Sequence, residues 1–194
     1  MLQIKEIVNS IFTSKTYILF CEEERKAWLV DIGDVEPVIN FCNDKGLTIE
    51  GVLLTHVHFD HIYGLPFLLN KFLDCVVFTN EIGKDALANS KMNMSFYHET
   101  PITIEGPQIV ICGEGDKISL FNNVIVEVYE TPGHHPSCLT FLTRNLVFTG
   151  DSYIPGVKTV TNLPMGDKLM AQESEKRILK LAEGKILFPG HIST

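Results

Sequence analysis

Three imidazoles and a carboxylate fall within six residues at His56-Val57-His58-Phe59-Asp60-His61, directly behind the short apolar segment 51–54. The chance of meeting HxHxDH in a chain of this composition is on the order of 10⁻⁴ to 10⁻³. Beyond a strand end, His56 and His58 project to the same side, and a turn into a helix brings Asp60 and His61 round to join them. Neutral imidazole together with carboxylate suits zinc or a similar first-row cation. Such a cluster demands a scaffold that ends a strand and starts a helix at one rim.

Three more polar residues follow strand-like segments through a glycine turn: His134 after Thr131-Pro132-Gly133, Asp151 after Phe148-Thr149-Gly150, and His191 after Phe188-Pro189-Gly190. Glycine lets a chain leaving a sheet turn sharply and carry the next side chain over the sheet edge. The recurrence points to one shared site at the rim.

The remaining pattern is strands then helices, twice. Extended segments are expected at 3–12, 17–21 and 27–31, followed by a helix at Val35–Lys45 closed by Gly46, a strand at 51–54 and a helix at 62–73 with Pro66 in its first turn. A brief strand at 76–78 and a helix at 81–89 come next, and 90–115 is the least regular stretch. Strand signals return at 118–121, 124–129, 139–142 and 146–148, with a helix at Lys168–Leu181 and a last strand at 185–188. This predicts an α/β chain of two similar halves, sheets inside and helices outside, in one domain over 1–194.

With 194 residues, the folded chain should expose about 9,300 Å² of the roughly 31,600 Å² of its unfolded form. Sixteen Lys plus Arg against 24 Asp plus Glu leave a formal charge of -8 with no basic run, which argues against a nucleic-acid partner. No segment approaches the ~18 uninterrupted apolar residues of a membrane span. The first twelve residues lack the apolar core and cleavage site of an export signal. The five cysteines are scattered without a CxxC pair, as for reduced thiols, so a cytoplasmic location is expected.

Six motifs in order, VDIG (30–33), THVHFDH (55–61), NMSFY (93–97), TPGHHPSC (131–138), FTGDS (148–152) and FPGH (188–191), resemble the metallo-β-lactamase fold superfamily, and within it the small glyoxalase II-like hydrolases. The resemblance implies an αββα sandwich of two mixed β-sheets flanked by helices, and a centre of two divalent ions, zinc first, with iron or manganese as alternatives. It implies that one ion takes His56, His58 and His134, that the other takes Asp60, His61 and His191, and that Asp151 bridges them. Asp60 and Asp151 are the expected catalytic residues, Asp60 also orienting the attacking water. Asp31 resembles the family's acid that orients a ligand histidine. His135 and Tyr153 are candidates for the pocket, against a loop histidine and a packing tyrosine.

Hydrolysis of a small thioester or ester is the implied activity, by a hydroxide held on the ion pair. A lactonase-type hydrolase and a mononuclear iron persulfide dioxygenase-like oxidoreductase are the alternatives, the latter leaving His61 and His191 without a metal. A small molecule is the expected substrate, with neither nucleic acid nor membrane as partner, and a homodimer is left open. The segment 159–167 keeps the frame of the family's GRTDLPGGD element but has Val160 at the Arg position and Asn162 at the Asp position. Glyoxalase II also continues into a helical domain beyond the last histidine, and this chain ends three residues after His191. Both departures weigh against glutathione specificity.

Overall fold

The computed structural model describes residues 1–192 and exposes 9282 Å². Eleven strands form two mixed sheets. The first has the order β1 (Gln3–Val8), β2 (Lys15–Cys21), β3 (Lys26–Val30), β4 (Thr48–Leu53), β5 (Val76–Thr79) and β6 (Ile109–Ile111). Its first three strands are antiparallel and the pairs from β3 to β6 are parallel. The second is β11 (Ile186–Pro189), β10 (Leu146–Gly150), β9 (Leu139–Thr143), β8 (Val124–Glu130) and β7 (Lys117–Phe121), antiparallel except for the β10–β11 pair. Helices α1 (Val35–Lys45), α2 (Phe59–Ile62), α3 (Leu65–Lys71), α4 (Glu81–Leu87) and α5 (Lys168–Leu181) flank the sheets. This is the αββα sandwich expected from the motifs.

The period of two along the central strands explains why they read as continuous apolar runs. Ile18, Phe20, Ala27, Leu29 and Val52 turn to one core with Val38, Cys42, Leu65 and Leu68 of the helices. Leu19, Trp28, Val30 and Leu53, their neighbours in sequence, turn to a second core with Val126, Val128, Leu139, Phe141 and Phe148 of the other sheet. Strands buried on both faces need apolar residues at every position. Two polar links tie the sheets: Trp28 Nε1 donates to the Leu120 carbonyl at 3.0 Å and Tyr17 Oη to the Pro189 carbonyl at 2.7 Å.

Two expectations need correction. The first strand stops at Val8, not at 12, because the chain folds back on itself: Asn9 N–H donates to Ser14 O at 2.8 Å, and Phe12 and Thr13 have positive φ. The single helix expected at 62–73 is two, broken at Gly64. A Cβ there would strike the Gly33 carbonyl, and the Gly64 N–H donates to Ile32 O at 3.2 Å, so the break lets the segment after β3 pass close by. The stretch 90–115, expected to be the least regular, holds among its elements only a short 3-10 turn at Ser95–Tyr97 and the three-residue strand β6, too short to show periodicity.

Candidate metal centre

Every predicted ligand leaves the C-terminal end of a strand. His56 and His58 follow β4, Asp60 and His61 ride on α2, His134 follows β8, Asp151 follows β10 and His191 follows β11. The two sheets open their strand ends on the same rim, where chain exits from both layers meet. Thr55 O accepts from Leu139 N–H at 2.7 Å and Gly150 O from Gly190 N–H at 2.9 Å, which locks these exits together.

Two glycines make the approach feasible. Gly133 has φ +135, and a Cβ there would strike the Ala171 backbone at the start of α5; its carbonyl accepts from Asp167 N–H at 2.8 Å. His134 is thereby aimed by the helix start that Asp167 caps. Gly190 has no room for a Cβ between Asp151 Oδ1, the Gly150 backbone and the His61 ring.

The donor atoms of His56, His58 and His134, of His56, His61 and Asp151, and of Asp60, His61 and His191 converge in three groups, each within 4.8 Å. Within them, His58 Nδ1 and His134 Nε2 are 2.9 Å apart and His61 Nε2 and His191 Nε2 3.3 Å apart. Asp60 Oδ2 is 3.4 Å from His61 Nε2 and 3.2 Å from His191 Nε2. Asp151 faces both sides, with Oδ2 3.6 Å from His134 Nε2 and 3.3 Å from His191 Nε2, and Oδ1 3.4 Å from His61 Nε2. Ligands about 2.05 Å from a tetrahedral zinc lie about 3.3 Å from each other. The observed spacings bracket that edge.

Protonation fits a cation as well. Burial pushes His56 well below the ordinary imidazole range and His58 down to about 3, the neighbouring histidines adding to the effect, which favours the neutral form that a metal would require. Burial also works against charge on His61 and His191, but the carboxylates around them prevail: His61 sits well above the ordinary value, and the hydrogen bonds of Asp151 and Asp60 lift His191 to about 9. Burial raises Asp151, yet His61 and His191 hold it well below the carboxylate range. Without metal these protons occupy the place of positive charge. His56 Nε2 and Asp151 Oδ1 are buried with no hydrogen-bond partner, as expected for atoms reserved for a metal.

Outer partners fix three of the five rings. His61 Nδ1 lies 2.8 Å from Asp31 Oδ2, His134 Nδ1 donates to Val160 O at 2.8 Å and His191 Nδ1 to Phe12 O at 2.8 Å. Asp31 itself has φ +57 and accepts from Thr55 N–H at 2.7 Å and Thr55 Oγ1 at 2.6 Å. Its strained backbone is held by these contacts.

His135 and Tyr153 lie off the cavity. His135 is fully buried, its Nδ1 accepts from Ser137 N–H at 3.1 Å, and its ring packs 4.9 Å from that of His58. The Tyr153 carbonyl accepts from Thr149 Oγ1 at 2.7 Å. The cavity above the centre, about 350 Å³, is walled instead by Phe12, Phe59, Met94, Tyr97, His98, Val160 and Leu163, with His58, Asp60, His134, Asp151 and His191 at its base. Apart from Phe59, inside the cluster, these wall residues carry no ligand pattern; the NMSFY motif around Met94 and Tyr97 and the 159–167 segment that holds Val160 and Leu163 were their traces in the sequence.

The sequence matches the family described as Metallo-beta-lactamase superfamily over residues 16–191. A hydroxyacylglutathione hydrolase of Photorhabdus laumondii subsp. laumondii is 27% identical over 152 residues, 78% of this chain and 52% of that protein. The probable metallo-hydrolase YqgX of Bacillus subtilis is 29% identical over 164 residues, covering 82% of this chain and 76% of that protein. The chain spans about half the length of the first curated relatives it matches, 52%, 52% and 42%. Among solved structures, the BLEG-1 B3 metallo-beta-lactamase superposes with a TM-score of 0.89 at 26% identity, covering 98% of this chain and 92% of that one. A di-iron-bound form of TTHA1623 superposes with a TM-score of 0.82 at 25% identity, over 97% and 92%. No helix among the described residues is long and apolar enough to cross a membrane.

Proposed function

The chain belongs to the metallo-beta-lactamase superfamily, and from that premise we propose that it is a hydrolase with a centre of two divalent ions, zinc first, cleaving a small thioester or ester. The observation that carries the reading is the position of Asp151, whose Oδ2 lies between His134 of one cluster and His191 of the other while its Oδ1 faces His61. One carboxylate between two donor clusters suits a pair of ions, and the second cluster of Asp60, His61 and His191 has no use in a mononuclear oxygenase. Relatives named as hydroxyacylglutathione hydrolase and metallo-hydrolase support hydrolytic chemistry.

His56, His58 and His134 would hold one ion, Asp60, His61 and His191 the other, and Asp151 both. When bound, such ions acidify a shared water and polarise an acyl oxygen. The chain supplies the rest. Asp60, at the base of the cavity, orients the attacking water through its carboxylate. Asp31 holds the tautomer and plane of His61, and the Phe12 and Val160 carbonyls do the same for His191 and His134. Phe59, Val160 and Leu163 keep bulk water from the acyl group. Among the described residues no Ser, Thr, Cys or Lys lines the cavity, and attack by a hydroxyl, thiol or amine of the protein is not part of the reading.

The test is hydrolysis of a thioester, ester and lactone panel by zinc-reconstituted protein. Metal-dependent cleavage abolished by His58→Ala supports the proposal. Sulfide-dependent oxygen uptake on a single iron, with no hydrolysis, would refute it.

A further inference from the structure

We infer that the substrate presents an uncharged, apolar acyl body to this site and carries no free carboxylate near the scissile bond. The inference rests on the hydrolytic reading above and specifies its substrate class. At about 350 Å³, the cavity lies at the small end of the roughly 300–1,000 Å³ of ligand sites. Besides the groups at its base, its polar side chains are the Tyr97 phenol and the His98 imidazole, both neighbours of apolar wall residues. Above the base, Phe59 and His98 stack face to face, with centroids 3.8 Å apart and planes 19° apart, and Phe12 stands edge-on to His98 at 6.0 Å. Val160 and Leu163 add aliphatic surface to the wall.

No Lys or Arg lines the cavity among the described residues. A carboxylate entering it would lose hydration and meet no ammonium or guanidinium in the wall. The long-range field acts in the same direction. The formal charge of -8 falls only to about -4 with two divalent ions, so an anionic substrate approaches a protein of like sign. Glutathione thioesters keep two free carboxylates and meet both obstacles.

Val160 decides the point most directly. Its carbonyl is fixed by the 2.8 Å hydrogen bond from His134 Nδ1, while its side chain, 45% exposed, stands at the mouth. A longer side chain placed there has solvent to extend into, so an arginine adds a cation to the mouth without entering the core.

The experiment uses the metal-reconstituted chain and three thioesters: butyryl-N-acetylcysteamine, which is neutral, S-butyrylglutathione, with an anionic leaving group, and succinyl-N-acetylcysteamine, with an anionic acyl group. The neutral compound is expected to have the highest kcat/KM, by about tenfold or more over either anion. Val160→Arg should narrow that ratio by about tenfold, mainly through KM. Leu163→Lys is the second variant if Val160→Arg does not fold. Calorimetric binding of the matching S-butyl thioethers of N-acetylcysteamine and glutathione, which have no scissile carbonyl, should rank in the same order. Equal or better binding and cleavage of the anionic compounds overturns the inference. A protein that binds the neutral thioether preferentially yet cleaves none of the esters overturns the hydrolase reading and leaves the ligand class standing.

Discussion

Asp31 Oδ2 lies 2.8 Å from His61 Nδ1, and both groups are sealed from solvent. The aspartate sits at φ +57, a conformation that asparagine tolerates better than most residues. It is kept there by Thr55, whose amide and hydroxyl both donate to its carboxylate. The contact couples a strained strand end to a ring of the candidate centre.

Asp31→Asn preserves the backbone but replaces a carboxyl group that accepts from Thr55 with a neutral amide. Metal affinity, read by competition with a chelator, should fall by about 10- to 100-fold. An unchanged affinity would mean that His61 needs no orienting partner.

Gly133→Ala adds a Cβ at φ +135 against the Ala171 backbone. Strain and clash together should lower stability by about 2 kcal/mol or more, seen as a lower urea midpoint. A midpoint within error of the parent would contradict the close approach of α5 to this turn.

The metal-free protein should be most stable near pH 6.5. Burial holds His58 down to about 3 and His135 to about 4, so below 6.5 the unfolded chain binds protons that the fold refuses, and stability falls with acidification. His191, raised to about 9, has the opposite sign: its stabilisation is complete below 6.5 and is lost as pH rises through 9. Chemical denaturation between pH 4 and 9 should trace a maximum, and a curve rising monotonically to pH 9 would contradict these protonation states. Metal should remove the alkaline decline by taking the place of the His191 proton.

Tyr17→Phe removes a buried hydroxyl that donates to the Pro189 carbonyl, next to the turn that carries His191. The cost should be about 1–3 kcal/mol, because the carbonyl is left without its partner. Denaturation that shows no loss would place that carbonyl in water.

The seven candidate ligands were legible because chemistry and turn geometry coincide in the chain: histidines spaced by two for one side of a strand exit, and glycine before His134, Asp151 and His191. The central strands were legible because burial on both faces leaves unbroken apolar runs. The cavity wall was harder. Phe12, His98 and the pair Val160 and Leu163 come from three separate loops, and a loop residue looks alike whether it packs or lines a pocket. The fold-back at residues 9–14 was hidden because its hydrogen bonds depend on Asn9 reaching Ser14 and Thr16, contacts that periodicity does not encode.

The most direct test is the metal content of the intact chain after reconstitution with zinc, counted by native mass spectrometry for the parent and for Asp151→Ala. Two ions bound per parent chain, with a weakened or incomplete pair in the variant, is the predicted result. A parent chain saturated by one ion, unaffected by loss of Asp151, would contradict the account of a shared carboxylate between two metal sites.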